Sequence, residues 1–150
     1  MTKKDDERII GEIFIKEYNS SNSCQFKLDK KYLSTREENA FPDLKFINGK
    51  ELLAEVVRAG SKEIEKRKND YNNLELIEVD PSGELFIALD KKESKHYSGV
   101  EDIILLIQLP FYSDDVDIKN LVKAVKNKGY NFKEIWAVWD DNDKKPIKLA

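Results

Sequence analysis

Cysteine and histidine are almost missing from this sequence, which contains one of each, Cys24 and His96. A lone cysteine excludes an internal disulfide and suits a reducing compartment, so we expect a cytoplasmic protein. Two such residues are also too few for a structural zinc cluster. Long apolar runs are absent as well, because the longest is Ile103 to Ile107, and the charged N-terminal stretch is unlike a signal peptide. We therefore expect no contact with a membrane.

Proline and glycine are scarce too, with 4 and 6 in 150 residues, whereas 40% of the chain is hydrophobic and 37% is charged. This composition is typical of one globular domain with a heavily charged surface. The formal net charge of −3 gives no electrostatic footprint for nucleic acid over the whole molecule. A local basic face remains compatible with that acidic total.

Hydrophobic periodicity predicts an α/β fold, a single domain with a central mixed β-sheet flanked by helices. Residues from Gln25 to Asn39 show no clear period, although Ser34 and Glu37 are spaced as a capping box. A buried strand, a helix and a second buried strand near the C-terminus predict a parallel crossover. The predicted helices are Asp5–Tyr18, Ser61–Tyr71 and Asp115–Lys128, the last of which stops at Gly129, and the predicted strands are two around Asn48, then Leu74–Val79, Glu84–Leu89, Ile103–Leu109, Ile135–Trp139 and Ile147–Leu149. Between these elements we expect a polar loop from Asn19 to Ser23, a turn from Asp80 to Gly83 and a charged loop from Asp90 to Gly99 that contains His96.

Asn48-Gly49 marks a β-hairpin, because both residues tolerate positive φ. A two-residue loop would place Asp43 opposite Ala54 and turn Glu55 to the other face. A three-residue loop with Gly49 in the left-handed position of a bulge fits better. It pairs Phe46 with Lys50 and Asp43 with Leu53, which leaves Asp43 and Glu55 diagonally placed on one face.

The same pairing gives one clean apolar face and one mixed face, as expected for a sheet with a polar site on one side. Two carboxylates on that mixed face, from Asp43 and Glu55, are hard oxygen ligands of the kind that Mg²⁺ or Mn²⁺ prefers. Charged residues on the solvated face of a hairpin are also ordinary, so surface charges are the alternative interpretation. The apolar face contains Leu44, Phe46, Leu52, Ala54 and Val56.

Pro42-Asp43, eleven residues and then Glu55-Val56-Val57 resemble the PD-(D/E)xK signature of restriction-endonuclease-like nucleases. The resemblance implies a restriction-endonuclease-like fold in which Asp43 and Glu55 bind one or two divalent ions for phosphodiester hydrolysis. Either Glu37 or Glu38 resembles an additional acidic residue of some such families, and Glu12 is the candidate acid from the first helix. The motif lysine is missing, because Val57 stands at its position. Lys66 or Lys45 is a candidate to replace it.

The predicted helix after the second hairpin strand is the most basic surface segment. Its cations are placed to hold the phosphate backbone of DNA or RNA. Its acidic residues cancel much of that charge, so a solvated helix is the alternative. The candidate nucleic-acid-binding residues are Lys62, Lys66, Arg67 and Lys68.

Val57 and the acidic net charge favour a second function class. In this class, the protein has no nuclease activity and keeps the nuclease-like scaffold to bind another protein or a nucleic acid. Small acidic domains of this kind include inhibitors and immunity proteins that cover a basic partner. The alternative to a Mg²⁺- or Mn²⁺-dependent nuclease is therefore a non-catalytic partner protein.

Overall fold

The computed structural model describes residues 3–37, 42–58, 84–94, 102–109, 118–139 and 144–150. These ranges contain four helices and six strands. The helices are α1 (Lys3–Asn22), α2 (Lys30–Thr35), α3 (Glu84–Ser94) and α4 (Ile118–Lys128). The strands are β1 (Lys27–Leu28), β2 (Leu44–Ile47), β3 (Glu51–Arg58), β4 (Ile103–Leu109), β5 (Glu134–Trp139) and β6 (Ile147–Lys148).

The strands form one mixed sheet in the order β1-β2-β3-β4-β5-β6. The pairs β3·β4 and β4·β5 are parallel, and the other three pairs are antiparallel. Residues 103–109 of β4 are all buried because β4 lies at the centre and is covered on both faces. The expected α/β class with a central mixed sheet is confirmed, as is the parallel arrangement of the last two long strands.

Two apolar cores lie on opposite faces of the sheet because side chains alternate along each strand. On one face, Ile10 and Phe14 of α1 pack against the side chains of β2 to β5, including Phe46 and Trp136. On the other face, α3 and α4 cover the opposite side of the same strands. The predicted apolar face of the hairpin is confirmed, since its members belong to the α1 side: Leu44, Phe46, Leu52, Ala54 and the partly buried Val56.

The hairpin register differs from the predicted one by two residues. Phe46 pairs with Leu52, and Ile47 pairs with Glu51, so Asn48 to Lys50 form the loop. The prediction paired Phe46 with Lys50 and was wrong in register, although it was right that Gly49 has positive φ, at 71°. A shift of two residues preserves the faces of a strand, so Asp43 and Glu55 still lie on the same side.

The predicted strand Glu84–Leu89 is wrong, because these residues begin α3. Leu85, Ile87 and Leu89 alternate like a half-buried strand, which favoured that interpretation. Leu85, Phe86 and Leu89 are also spaced for a helix, and these three are buried while Ile87 is 61% exposed. The charged segment that begins at Asp90 was expected to be a loop, but its first five residues, through Ser94, continue α3.

The segment between α1 and β2 also differs from expectation. Ser34 is not a helix cap, because it lies inside α2, and Asp29 caps that helix by accepting from the backbone N–H of Tyr32. The polar stretch from Asn19 belongs to α1 as far as Asn22. The predicted strands β4 and β5, the edge strand β6 and the stop of α4 at Gly129, with φ of 65°, are confirmed.

Several predicted features lie outside the described residues. They are the helix at 61–71, the strand at 74–79, the turn at 80–83 and the loop with His96. Among the helices that are described, none has the length and apolar character needed to cross a membrane.

Replacing Gly49 by alanine tests the hairpin turn. Its positive φ disfavours any residue with a Cβ, and an added Cβ would meet no atom within 4 Å, so the cost arises from the backbone. We expect Gly49→Ala to lower the free energy of unfolding by about 1–2 kcal/mol in urea titrations. Gly49→Asn is the matched control and should lose less, because asparagine tolerates this conformation. Equal stability of the parent and the alanine variant would contradict this turn geometry.

Candidate functional site

The site begins where β2 and β3 separate. Their backbone ladder ends at the pair Leu44–Ala54, and two acidic side chains continue it. The backbone N–H of Asp43 donates to Glu55 Oε1 at 2.7 Å, and the N–H of Val56 donates to Asp43 Oδ2 at 2.9 Å. Each acid thus binds the backbone of the opposite strand, which fixes both carboxylates side by side.

A lysine from α3 completes this pair. Lys92 Nζ lies 2.7 Å from Glu55 Oε2, although the two residues are 37 positions apart in the chain. Lys92 follows Leu85 and Leu89 on the buried stripe of α3, at positions i+7 and i+3, so the helix that covers the sheet directs it inward. The Glu55 side chain is 3% exposed and that of Lys92 is 24% exposed, so this ion pair is largely shielded from water.

A third carboxylate and a second cation adjoin Asp43 from the opposite side. Glu7 on α1 and Arg36 form an ion pair between Oε1 and the guanidinium, and their side chains are 3% and 1% exposed. The other oxygen of the carboxylate, Glu7 Oε2, is buried without a hydrogen-bond partner. Arg36 Nε also donates to the carbonyl of Asp43 at 3.0 Å. Arg36 therefore links α1 to the residue that begins the site.

Burial and mutual repulsion shift the protonation of these acids. Burial, with a smaller contribution from the nearby Asp43, raises the pKa of Glu7 to about 7 against the opposing effect of Arg36. Burial also raises the pKa of Glu55 above its ordinary value, again with a contribution from Asp43, while Lys92 opposes it. A raised pKa at neighbouring carboxyls is typical of sites that exchange protons or bind cations.

Backbone contacts from the irregular segment before β2 hold the site in place. The backbone carbonyl of Arg36 accepts a hydrogen bond from Lys4 Nζ at 2.9 Å. The side-chain Nη1 of Arg36 donates to the backbone carbonyl of Glu37 at 3.0 Å. The hydroxyl of Tyr32 donates to the carbonyl of Pro42, directly before Asp43. These contacts join α1, α2 and the start of β2, so Asp43 is positioned by three elements.

The residues present fit a divalent ion as a pair of carboxylates. No group of three or more histidine, cysteine, aspartate or glutamate side chains with metal-ligand geometry occurs among the described residues. Mg²⁺ is commonly held by one or two carboxylates together with water and substrate phosphates, which matches Asp43 and Glu55. Glu7 Oε2 adds a buried oxygen from a third carboxyl group beside Asp43.

The structure brings together some of the predicted site residues and places others elsewhere. Asp43 and Glu55 meet as predicted. Glu12 lies on a different side of α1 and pairs with Arg8 and Lys30 at 3.6 and 3.8 Å. Lys45 lies over the ring of Tyr32 at 4.5 Å. The candidates Glu38, Lys62, Lys66, Arg67 and Lys68 lie outside the described residues, and Glu37 is exposed.

Sequence reasoning missed three members of the site. Glu7 precedes Ile10 by three positions and Phe14 by seven, so it was recognisable as an acid on the apolar stripe of α1. Lys92 shares the stripe of α3, but the interpretation of residues 84–89 as a strand hid this relation. Arg36 follows α2 in an irregular segment. It is only 7% exposed, and nothing in the sequence indicated that it is buried.

Comparisons with models of protein families, with curated proteins and with solved structures found no match to this chain. The resemblance to PD-(D/E)xK nucleases therefore stays a prediction that rests on the residues of the site.

The raised pKa of Glu7 predicts a pH-dependent stability. Glu7 binds its proton more tightly in the folded protein than in the unfolded chain, where its pKa has the ordinary value of 4.5. Its contribution to stability is complete below that value and is lost as the pH rises through about 7. We expect the free energy of unfolding to fall over this window in urea titrations, and to fall less in Glu7→Gln. Glu12→Gln is the matched control and should keep the slope of the parent, whereas identical slopes in all three proteins would contradict the assignment.

Proposed function

We propose that this protein is a nuclease of the restriction-endonuclease-like type that hydrolyses phosphodiester bonds with Mg²⁺ or Mn²⁺. The observation that carries the proposal is the ion pair of Lys92 and Glu55 beside Asp43. An aspartate, a glutamate and a lysine are the three side chains that the resembled motif requires. The sequence offers Val57 in place of the lysine, and α3 supplies a lysine to the same carboxylate.

Each residue has a role that follows from its surroundings. Asp43 and Glu55 would hold the metal, and when bound the ion supplies an activated water and stabilises charge on the phosphate. The ammonium of Lys92 is positioned to orient that water or to stabilise the negative charge that develops in the transition state. The arrangement of strands and helices supports the proposal at the level of the fold, as a mixed sheet with helices on both faces.

Glu7 and Arg36 have a supporting role in this scheme. Arg36 forms an ion pair with one oxygen of Glu7 and donates a hydrogen bond to the carbonyl of Asp43, so it orients the aspartate. Glu7, with a pKa of about 7, is suited to accept or release a proton at neutral pH beside Asp43. It replaces Glu12 as the acid that α1 contributes.

A non-catalytic scaffold is the second candidate, and the hydrogen bonds of the acids favour it. Both oxygens of Glu55 and Oδ2 of Asp43 have partners within the protein, from Asp43, Lys92 and Val56. Such a network stabilises a fold without any ion. In that case the site is a structural cluster, and the protein binds a nucleic acid or another protein instead.

Metal binding and cleavage separate these two candidates. We expect Mn²⁺ to bind the parent protein in calorimetric titrations and not to bind Asp43→Asn. With Mn²⁺, single- or double-stranded DNA or RNA should be cleaved, and Asp43→Asn and Glu55→Gln should abolish this activity. Lys92→Ala should lower the rate by about 10²–10³-fold, as for loss of one donor to developing charge.

Lys45→Ala is the matched control, because it removes a lysine of β2 that lies over Tyr32. It should retain the activity of the parent. Circular dichroism and urea unfolding establish that each variant is folded. Activity that survives in folded Asp43→Asn and Glu55→Gln would refute the nuclease assignment, and a parent without metal binding or cleavage would favour the scaffold.

A further inference from the structure

A cavity of about 390 Å³ opens beside the site, at the carboxyl ends of the parallel strands β3 and β4. The first turns of α1 form its other wall. Ligands of α/β proteins commonly bind in the crevice outside the carboxyl ends of parallel strands. Its volume is within the range of pockets that enclose small molecules. The lining residues are Lys3, Asp6, Glu7, Val56, Arg58 and Gln108.

The sheet changes from apolar to polar where it borders this cavity. On the α1 face, β4 runs from Ile104 and Leu106 to Gln108, while β3 ends at Arg58. Arg58 and Gln108 are register partners on adjacent strands, so their side chains lie next to each other. Gln108 is 5% exposed and follows an otherwise apolar strand. A buried amide beside a guanidinium, at the wall of a cavity, is a combination suited to hydrogen bonding with a ligand.

The charges in the cavity are of both signs. Arg58 and Lys3 are both exposed at the cavity, and the charge of Lys3 acts to lower the pKa of Glu7. Arginine and lysine at such a place suit a phosphate group. Asp6 on the α1 wall offers an acceptor, and Val56 offers an apolar surface. A simple anion would contact only the two cations and would leave the other polar side chains of the cavity unused. The cavity therefore fits a larger ligand with an anionic end and a hydrogen-bonding end.

We propose that this cavity binds one nucleotide unit of a nucleic acid. Arg58 and Lys3 contact a phosphate, while Gln108 and Asp6 contact the polar edge of the base or sugar. Glu7 lines the cavity and also adjoins Asp43, so the cavity and the carboxylate cluster share this residue. The inference rests on the proposed function, and it adds the part of the protein that holds the substrate.

Binding of the four nucleoside 5′-monophosphates and of inorganic phosphate, each titrated by calorimetry in EDTA, tests the proposal. We expect at least one nucleotide to bind more tightly than phosphate. Arg58→Ala should weaken nucleotide binding by about tenfold or more, as expected for loss of a charge-assisted hydrogen bond. Gln108→Leu should weaken binding of the nucleotide and leave that of phosphate unchanged.

Lys126→Ala is the matched control, because it removes an exposed cation from α4, on the opposite face of the sheet. It should bind like the parent, and urea unfolding should show that all variants are folded. Three results would overturn the proposal: no binding of any nucleotide, equal binding of phosphate and nucleotides, or the same affinity in Arg58→Ala as in the parent. A loss in Lys126→Ala equal to that in Arg58→Ala would overturn it as well, since binding would then reflect overall charge.

The absence of metal separates this test from that of catalysis. Nucleotide binding in EDTA without cleavage in Mn²⁺ would retain the cavity as a nucleotide site and refute the nuclease. Cleavage that Arg58→Ala leaves unchanged, without nucleotide binding, would retain the nuclease and refute the cavity.

Discussion

The exchange of hydrogen bonds between Asp43 and Glu55 is the constraint on which the site depends. The backbone ladder of β2 and β3 ends at Leu44, the residue next to Asp43. Beyond it, each carboxylate accepts a hydrogen bond from a backbone N–H of the other strand. This arrangement satisfies buried backbone groups that the separating strands would otherwise leave unpaired. It also brings two negative charges together in a region that excludes water, and that repulsion must be offset by other parts of the chain.

The offset comes from helices on opposite faces of the sheet. Lys92 reaches Glu55 from α3, and Arg36 reaches Glu7 and the carbonyl of Asp43 beside α1. A buried carboxylate without such a partner would take up a proton or destabilise the fold. The cluster therefore requires the packing of both apolar cores, since displacement of either α1 or α3 removes a cation or an acid from it.

The same geometry connects the cluster to the surface. Glu7 belongs to the buried network and also lines the cavity at the ends of β3 and β4. The parallel pairing of these strands aligns Arg58 with Gln108 at that edge. The cluster and the cavity share Glu7 because α1, which carries this residue, covers the face of the sheet on which the cavity lies.

The sequence by itself determined the central strand β4, the strand-helix-strand unit, the hairpin turn at Gly49 and the common side of Asp43 and Glu55. These features depend on local periodicity or on one backbone conformation, which short windows of sequence express. Only the tertiary structure decided the hairpin register, the helix at residues 84–94 and the positions of Lys92, Glu7 and Arg36 beside Asp43 and Glu55. Residues 84–89 fit both a strand and a helix by spacing, and packing against the sheet selected the helix. Contacts between distant elements have no local period, so the lysine that joins Glu55 was not recognisable from its neighbours in the chain.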